Sequence, residues 1–141
     1  MDVKKYRLLL VLLLIVIVPL GFYTKFYGGP GHAWVNNTLG GFIYEVFWCL
    51  VVAFLLPGLK PLRIAVYVFS VTCLLEVLQL WHPGFLEYLR SFFIGRTILG
   101  SAFSWMDFPY YAAGSATGWY ILRLFGKISA VNPHTSDRPW R

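Results

Sequence analysis

Four apolar stretches, each close to the length that crosses a bilayer as a helix, constrain this chain more than any motif it carries. They cover about residues 7–24, 40–57, 62–81 and 107–125, and a membrane-spanning helix needs roughly 20 predominantly apolar residues. Only 13% of the chain is charged, about half of what a soluble domain carries. The +6 net charge does not form a basic stripe. Its lysines and arginines stand at the ends of the apolar runs, which argues against nucleic acid and for a membrane. Nineteen per cent aromatic residues fits the enrichment of Trp and Tyr at membrane interfaces. Trp34, Trp48, Trp81 and Trp105 are placed as such anchors.

Breakers divide the runs. Gly28-Gly29-Pro30-Gly31 follows the first, Pro57-Gly58 ends the second, Pro61 opens the third and His82-Pro83-Gly84 closes it. The basic N-terminus and first run have the look of a signal peptide, but no small-x-small cleavage site follows, so an uncleaved span is expected. Asn36-Asn37-Thr38 has the form of a glycosylation sequon, and nothing else indicates a secretory setting for it. Cys49 and Cys73 lie inside apolar runs, as packing residues do, and form neither a disulfide framework nor a metal pair.

The expected architecture is all-α, a polytopic transmembrane four-helix bundle. Residues 1–128 form a single transmembrane domain, and a polar tail follows over 129–141. With the N-terminus inside, nine Lys and Arg residues fall on the cytoplasmic side and three, Lys25, Arg90 and Arg96, on the outer side. That asymmetry places both termini in the cytoplasm of a bacterial inner membrane. In the connection between the third and fourth spans, Phe85, Leu89, Phe92 and Phe93 recur at helical spacing. An interfacial or re-entrant segment is expected there.

A charge at the centre of a span costs about 2.5–3.5 kcal/mol on insertion scales, so each needs an explanation. In this topology Glu45, Glu76, Gln79, Arg90, Arg96 and Asp107 all come to the outer leaflet. Cys73, Glu76 and Gln79 share a face of the third span. Asp107, Tyr111, Gly114 and Gly118 share a face of the fourth, and Gly114-x-x-x-Gly118 lets another helix approach closely. The third and fourth spans are therefore expected to enclose a polar cleft. Plainer readings stand beside this one. Asp107 can cap its helix, with Ser104 and Pro109 in supporting positions. Glu76 can pair with Arg90 or Arg96, and Glu45 can reach the interface. No nucleotide loop, nucleophile elbow or metal-ligand spacing is present in the sequence, and no cofactor is expected.

Leu89-Arg90, Gly95, Leu99-Gly100, Phe103-Ser104-Trp105, Asp107, Tyr111 and Gly114 resemble a bacterial membrane-protein family, the domain of unknown function 2809. Glu76-x-x-Gln79-Leu80 resembles the same family. A more distant likeness is to VanZ-like proteins, which carry Glu-x-x-Gln, a following Arg, then Asp-x-x-x-Asn-x-x-Gly. Here Tyr111 stands where they have Asn. These resemblances imply a cell-envelope role and a shared outer-leaflet polar site, without a reaction.

The expected function is recognition of a lipid or polar headgroup by Glu76, Gln79, Arg90 and Asp107, with membrane lipids or a lipid-linked ligand as partners. One alternative is a membrane enzyme on a lipid-linked envelope substrate, with Glu76 as acid or base. Another is a structural or accessory subunit docking through Gly114 and Gly118, with an oligomer or a partner membrane protein. A small transporter would require oligomerisation, since the chain has no internal repeat. The topology has a direct test. A reporter active only in the periplasm is expected to be silent after Arg141 and active within residues 28–31; the reverse pattern would overturn the topology.

Overall fold

The structure, a computed structural model, describes residues 2–100 and 102–130. The expected polar tail lies almost wholly outside those residues. Six helices are described: α1 (Val3–Phe26), α2 (His32–Leu55), α3 (Pro61–Leu78), α4 (Gly84–Ser91), α5 (Phe93–Leu99) and α6 (Asp107–Ala130). Among the described residues there is no strand.

Three of these helices, α1, α2 and α3, are long and apolar enough to cross a membrane. They turn large aliphatic side chains outward, as at Ile15, Val16, Leu62 and Leu74, each at least 60% exposed. Apolar exposure on this scale is unusual for a protein in water and is what lipid contact requires. Helix α6 is as long as α1, at 24 residues. It is less apolar, because it carries Gly, Ser and Thr along with Asp107, Arg123 and Lys127. It packs against α1, α2 and α3, most extensively against α2.

Two features of α2 differ from the pattern of apolar residues. It begins at His32, straight after Gly31 at φ +70°, and runs through the polar Asn36-Asn37-Thr38 segment by widening into a π-helical turn at Val35–Leu39. Such turns absorb one extra residue and often mark sites. Here the turn delivers Asn37 and Thr38 to a cavity at this end of the molecule. The connection between α3 and α6 forms two short helices that break at Phe92, whose backbone is extended. Gly95 packs so closely on the Leu89 carbonyl that a Cβ would collide with it. The Phe93 ring then docks beside Phe22 and Phe26 at the end of α1.

At the opposite end, cations meet helix C-termini, as the helix dipole favours. Lys5 donates to the Ile128 carbonyl of α6 at 3.1 Å, and Arg7 to the Phe54 carbonyl of α2 at 3.2 Å. Asp2 accepts from the Lys4 and Lys5 amides and caps α1. Tyr6, Leu10, Leu50, Ala53, Ile64 and Leu122 fill the core between these ends.

Gly114 and Gly118 are where α6 closes on α2. A Cβ on Gly114 would meet the Phe42 carbonyl at 2.8 Å and the Glu45 Cβ at 2.7 Å, and one on Gly118 would meet Cys49 Cβ and Sγ at 2.8 Å. Ala116, on the same helix, is exposed. Gly118→Leu is expected to destabilise the protein by at least about 1–3 kcal/mol through overpacking, and Ala116→Leu to leave it unchanged. Thermal unfolding in detergent separates the two, and equal losses would show that the glycines are not a packing face.

Candidate functional site

Glu76 is 1% exposed, inside the molecule near the end of α3. Its carboxylate gathers three donors from three segments. Gln79 Nε2 donates at 2.9 Å from the next turn, and the Tyr111 hydroxyl at 3.0 Å from α6. The Ser104 backbone N–H donates at 2.8 Å from the stretch that leads into α6. A buried carboxylate without a cation requires such a set of donors. Gly100 completes the shell: at φ +72° its Cα lies against the Gln79 carboxamide so closely that any side chain would collide with it. The backbone angle favours glycine there.

Above this cluster opens a cavity of about 570 Å³. Its wall includes Glu76, Gln79, Tyr111 and Asp107, and also Lys25 from the last turn of α1 and Arg96 from α5. Trp34, Phe93 and Met106 add apolar surface. Asp107 is half-buried and Arg96 exposed. Neither Lys25 nor Arg96 forms an ion pair among the described residues, where the ion pairs are those of Glu87 with Arg90 and His82. The site is thus a polar basin with two cations and a carboxylate on its wall and a rigidly held carboxylate below.

Two residues expected at this site are elsewhere. Arg90 is 6% exposed but does not line the cavity. Its guanidinium donates to the Trp81 carbonyl at 3.0 Å, the Leu78 carbonyl at 3.1 Å and Glu87 at 2.8 Å. It therefore ties α4 to the C-terminal end of α3, whose last carbonyls have no partner within the helix. His82 and Arg90 together hold the exposed Glu87 carboxyl below the usual carboxylate range, through their hydrogen bonds to it. Glu76 accordingly pairs with neither arginine. Glu45 is fully buried one layer deeper, accepting from Ser115 at 2.6 Å and Thr72 at 2.8 Å, and does not line the cavity. Thr72, one turn before Glu76, reaches the cavity where Cys73 does not.

Sequence reading missed Lys25, Thr72, Ser104 and Ser115. Lys25 carries a signal, since it is one of only three cations expected on the outer side. The Ser104 contribution is a backbone amide, which no side-chain pattern reveals. Among the described residues no group of His, Cys, Asp and Glu is placed to hold a metal ion.

A family model described as a protein of unknown function (DUF2809) matches residues 31–115. The match takes in the cavity lining from α2 to the start of α6 and leaves out Lys25. No solved structure matches the chain.

The bonding pattern sets an energetic expectation. Glu76→Gln replaces one accepting oxygen by an NH₂, which then faces either the Ser104 amide or the Gln79 and Tyr111 donors, and should cost about 1–3 kcal/mol. In double-mutant cycles on thermal stability, Glu76→Gln and Tyr111→Phe should couple by more than about 0.5 kcal/mol, whereas Glu76→Gln and Arg90→Gln should be additive within that margin. Coupling to Arg90 instead of Tyr111 would contradict this wiring.

Proposed function

This chain belongs to the family of proteins of unknown function DUF2809, and we propose that it is a four-span membrane protein whose cavity recognises a phosphate-bearing headgroup at the outer leaflet. In this reading α6 is the fourth span, both termini are cytoplasmic and the cavity opens toward the outside of a bacterial inner membrane. The Lys and Arg asymmetry of nine to three supports that orientation. The connection formed by α4 and α5 then lies over the outer ends of the spans.

The observation that carries the reading is the pair of cations, Lys25 and Arg96, on the wall of a cavity that also presents aromatic surface. Arginine matches the geometry of a phosphate with parallel N–H donors, and lysine adds a point charge. Asp107 faces the same space and suits an ammonium or hydroxyl group of the headgroup. Glu76 serves as a positioning residue. Its donors are committed within the fold, and through Tyr111, Gln79 and Ser104 it fixes the wall that a ligand meets. An envelope role follows from this placement, as the headgroups within reach are those of envelope lipids. The bonding of Arg90 to carbonyls of the α3 end favours Arg96 over Arg90 for the phosphate in this reading.

Dioleoyl phosphatidylethanolamine and dioleoyl phosphatidylglycerol, titrated into detergent-solubilised protein and followed by native mass spectrometry, test this reading. Lys25→Gln and Arg96→Gln should each weaken retention about tenfold or more, the value of one charge-assisted hydrogen bond. Both variants should unfold at the wild-type temperature. Retention indifferent to both substitutions would overturn the proposal.

A further inference from the structure

Two apolar grooves leave the cavity, one on each side of α2. The first, about 340 Å³, runs between α1 and α2 past Ile17, Gly21, Ile43 and Phe47. The second, about 260 Å³, runs between α2 and α3 past Val52, Tyr67, Val68 and Val71. Both begin where Tyr44 of α2 and Ile98 of α5 line the cavity and the two grooves alike. The Tyr44 hydroxyl donates to the Ile98 carbonyl at 3.2 Å. This contact forms a saddle, with the polar basin on one side and a groove descending on either flank. Trp48, one turn below Tyr44 and edge-on to its ring, lines both grooves. Lys25 stands where the first groove joins the cavity.

From this forked shape we infer that the ligand is a two-chain glycerophospholipid, held with one acyl chain in each groove. The inference rests on the headgroup reading above and adds the class of lipid. Two features match such a lipid. Cations stand where its phosphate would lie. Two apolar channels diverge below, as its chains do. A free phosphate or a single-chain amphiphile would leave one or both grooves unfilled.

The grooves can be closed one at a time without touching the cavity. Gly21 lines the first groove only, and a Cβ there meets Ile43 at an ordinary 3.5 Å. Val71 lines the second only and is 54% exposed. The full chain in detergent is presented with dioleoyl phosphatidylethanolamine and dioleoyl phosphatidylglycerol, their single-chain lyso forms, and the chain-free glycerophosphodiesters. Retention is read by native mass spectrometry, and thermal unfolding shows that each variant is folded. The two-chain lipids should be retained at least about tenfold more tightly than the lyso forms, a modest share of what burying a second chain yields. Gly21→Leu and Val71→Trp should each weaken the two-chain lipid and leave the lyso form unchanged, because that form keeps the open groove. If Gly21→Leu fails to fold, Val71→Trp decides alone. Equal retention of one-chain and two-chain forms, still lost in Lys25→Gln and Arg96→Gln, overturns the two-groove assignment and leaves the headgroup reading standing. Retention of no lipid, or retention indifferent to Lys25 and Arg96, overturns both.

Discussion

The arrangement at one end of this molecule depends on how a single carboxylate is satisfied. Glu76 is buried inside the molecule, where a polar group without partners is costly. Among the described residues no cation pairs with it, and the fold supplies hydrogen-bond donors instead. Those donors come from the residue that caps α3, from the segment after α5 and from α6. Satisfying the carboxylate therefore fixes three pieces of chain relative to one another. The Ser104 amide is the most consequential of them. It anchors the descending connection just before α6 begins, and so fixes the entry of α6 and the position of Asp107.

Glu45 repeats the same solution at greater depth, with Ser115 and Thr72 as donors. Its place there is possible because α6 presents glycine to α2 at Gly114 and Gly118. A larger residue at either position would push the helices apart and move the Ser115 hydroxyl away from Glu45. Close backbone approach and buried polar satisfaction are thus one feature of the α2–α6 contact. The two carboxylates differ in access. Glu76 borders the cavity, whereas Glu45 lies sealed below it.

Much of this was legible in the sequence through two simple rulers, depth and helical phase. Length and hydropathy gave the long helices. Depth gathered Glu76, Gln79, Asp107, Tyr111 and Arg96 at one end, where they line one cavity. Phase put Asp107, Tyr111, Gly114 and Gly118 on one face of α6. Both rulers fail where the chain leaves regular helix. Arg90 has the right depth, but its guanidinium bonds backbone carbonyls at the end of α3, and no side-chain pattern announces such acceptors. The π-helical turn in α2 shifts the phase of everything before Gly40, so Asn37 and Thr38 reach the cavity without an apolar pattern to announce them. Glu45 and Glu76 have similar depth by residue count. Yet Glu45 is enclosed by helix contacts, and that enclosure depends on the glycine face opposite it.

The division between the two arginines follows from the same logic and bears on what the cavity is for. A helix that ends inside a packed structure leaves carbonyls to be satisfied, and Arg90 is committed to that task by its bonds to Leu78 and Trp81. Arg96 has no such duty, and neither does Lys25. Both line a space bordered by aromatic rings, without an ion pair among the described residues. In the proposed reading an amphiphile supplies both halves at once, an anion for Lys25 and Arg96 and hydrocarbon for the grooves beside α2. On that reading the polar and apolar parts of the site serve one ligand and do not need two.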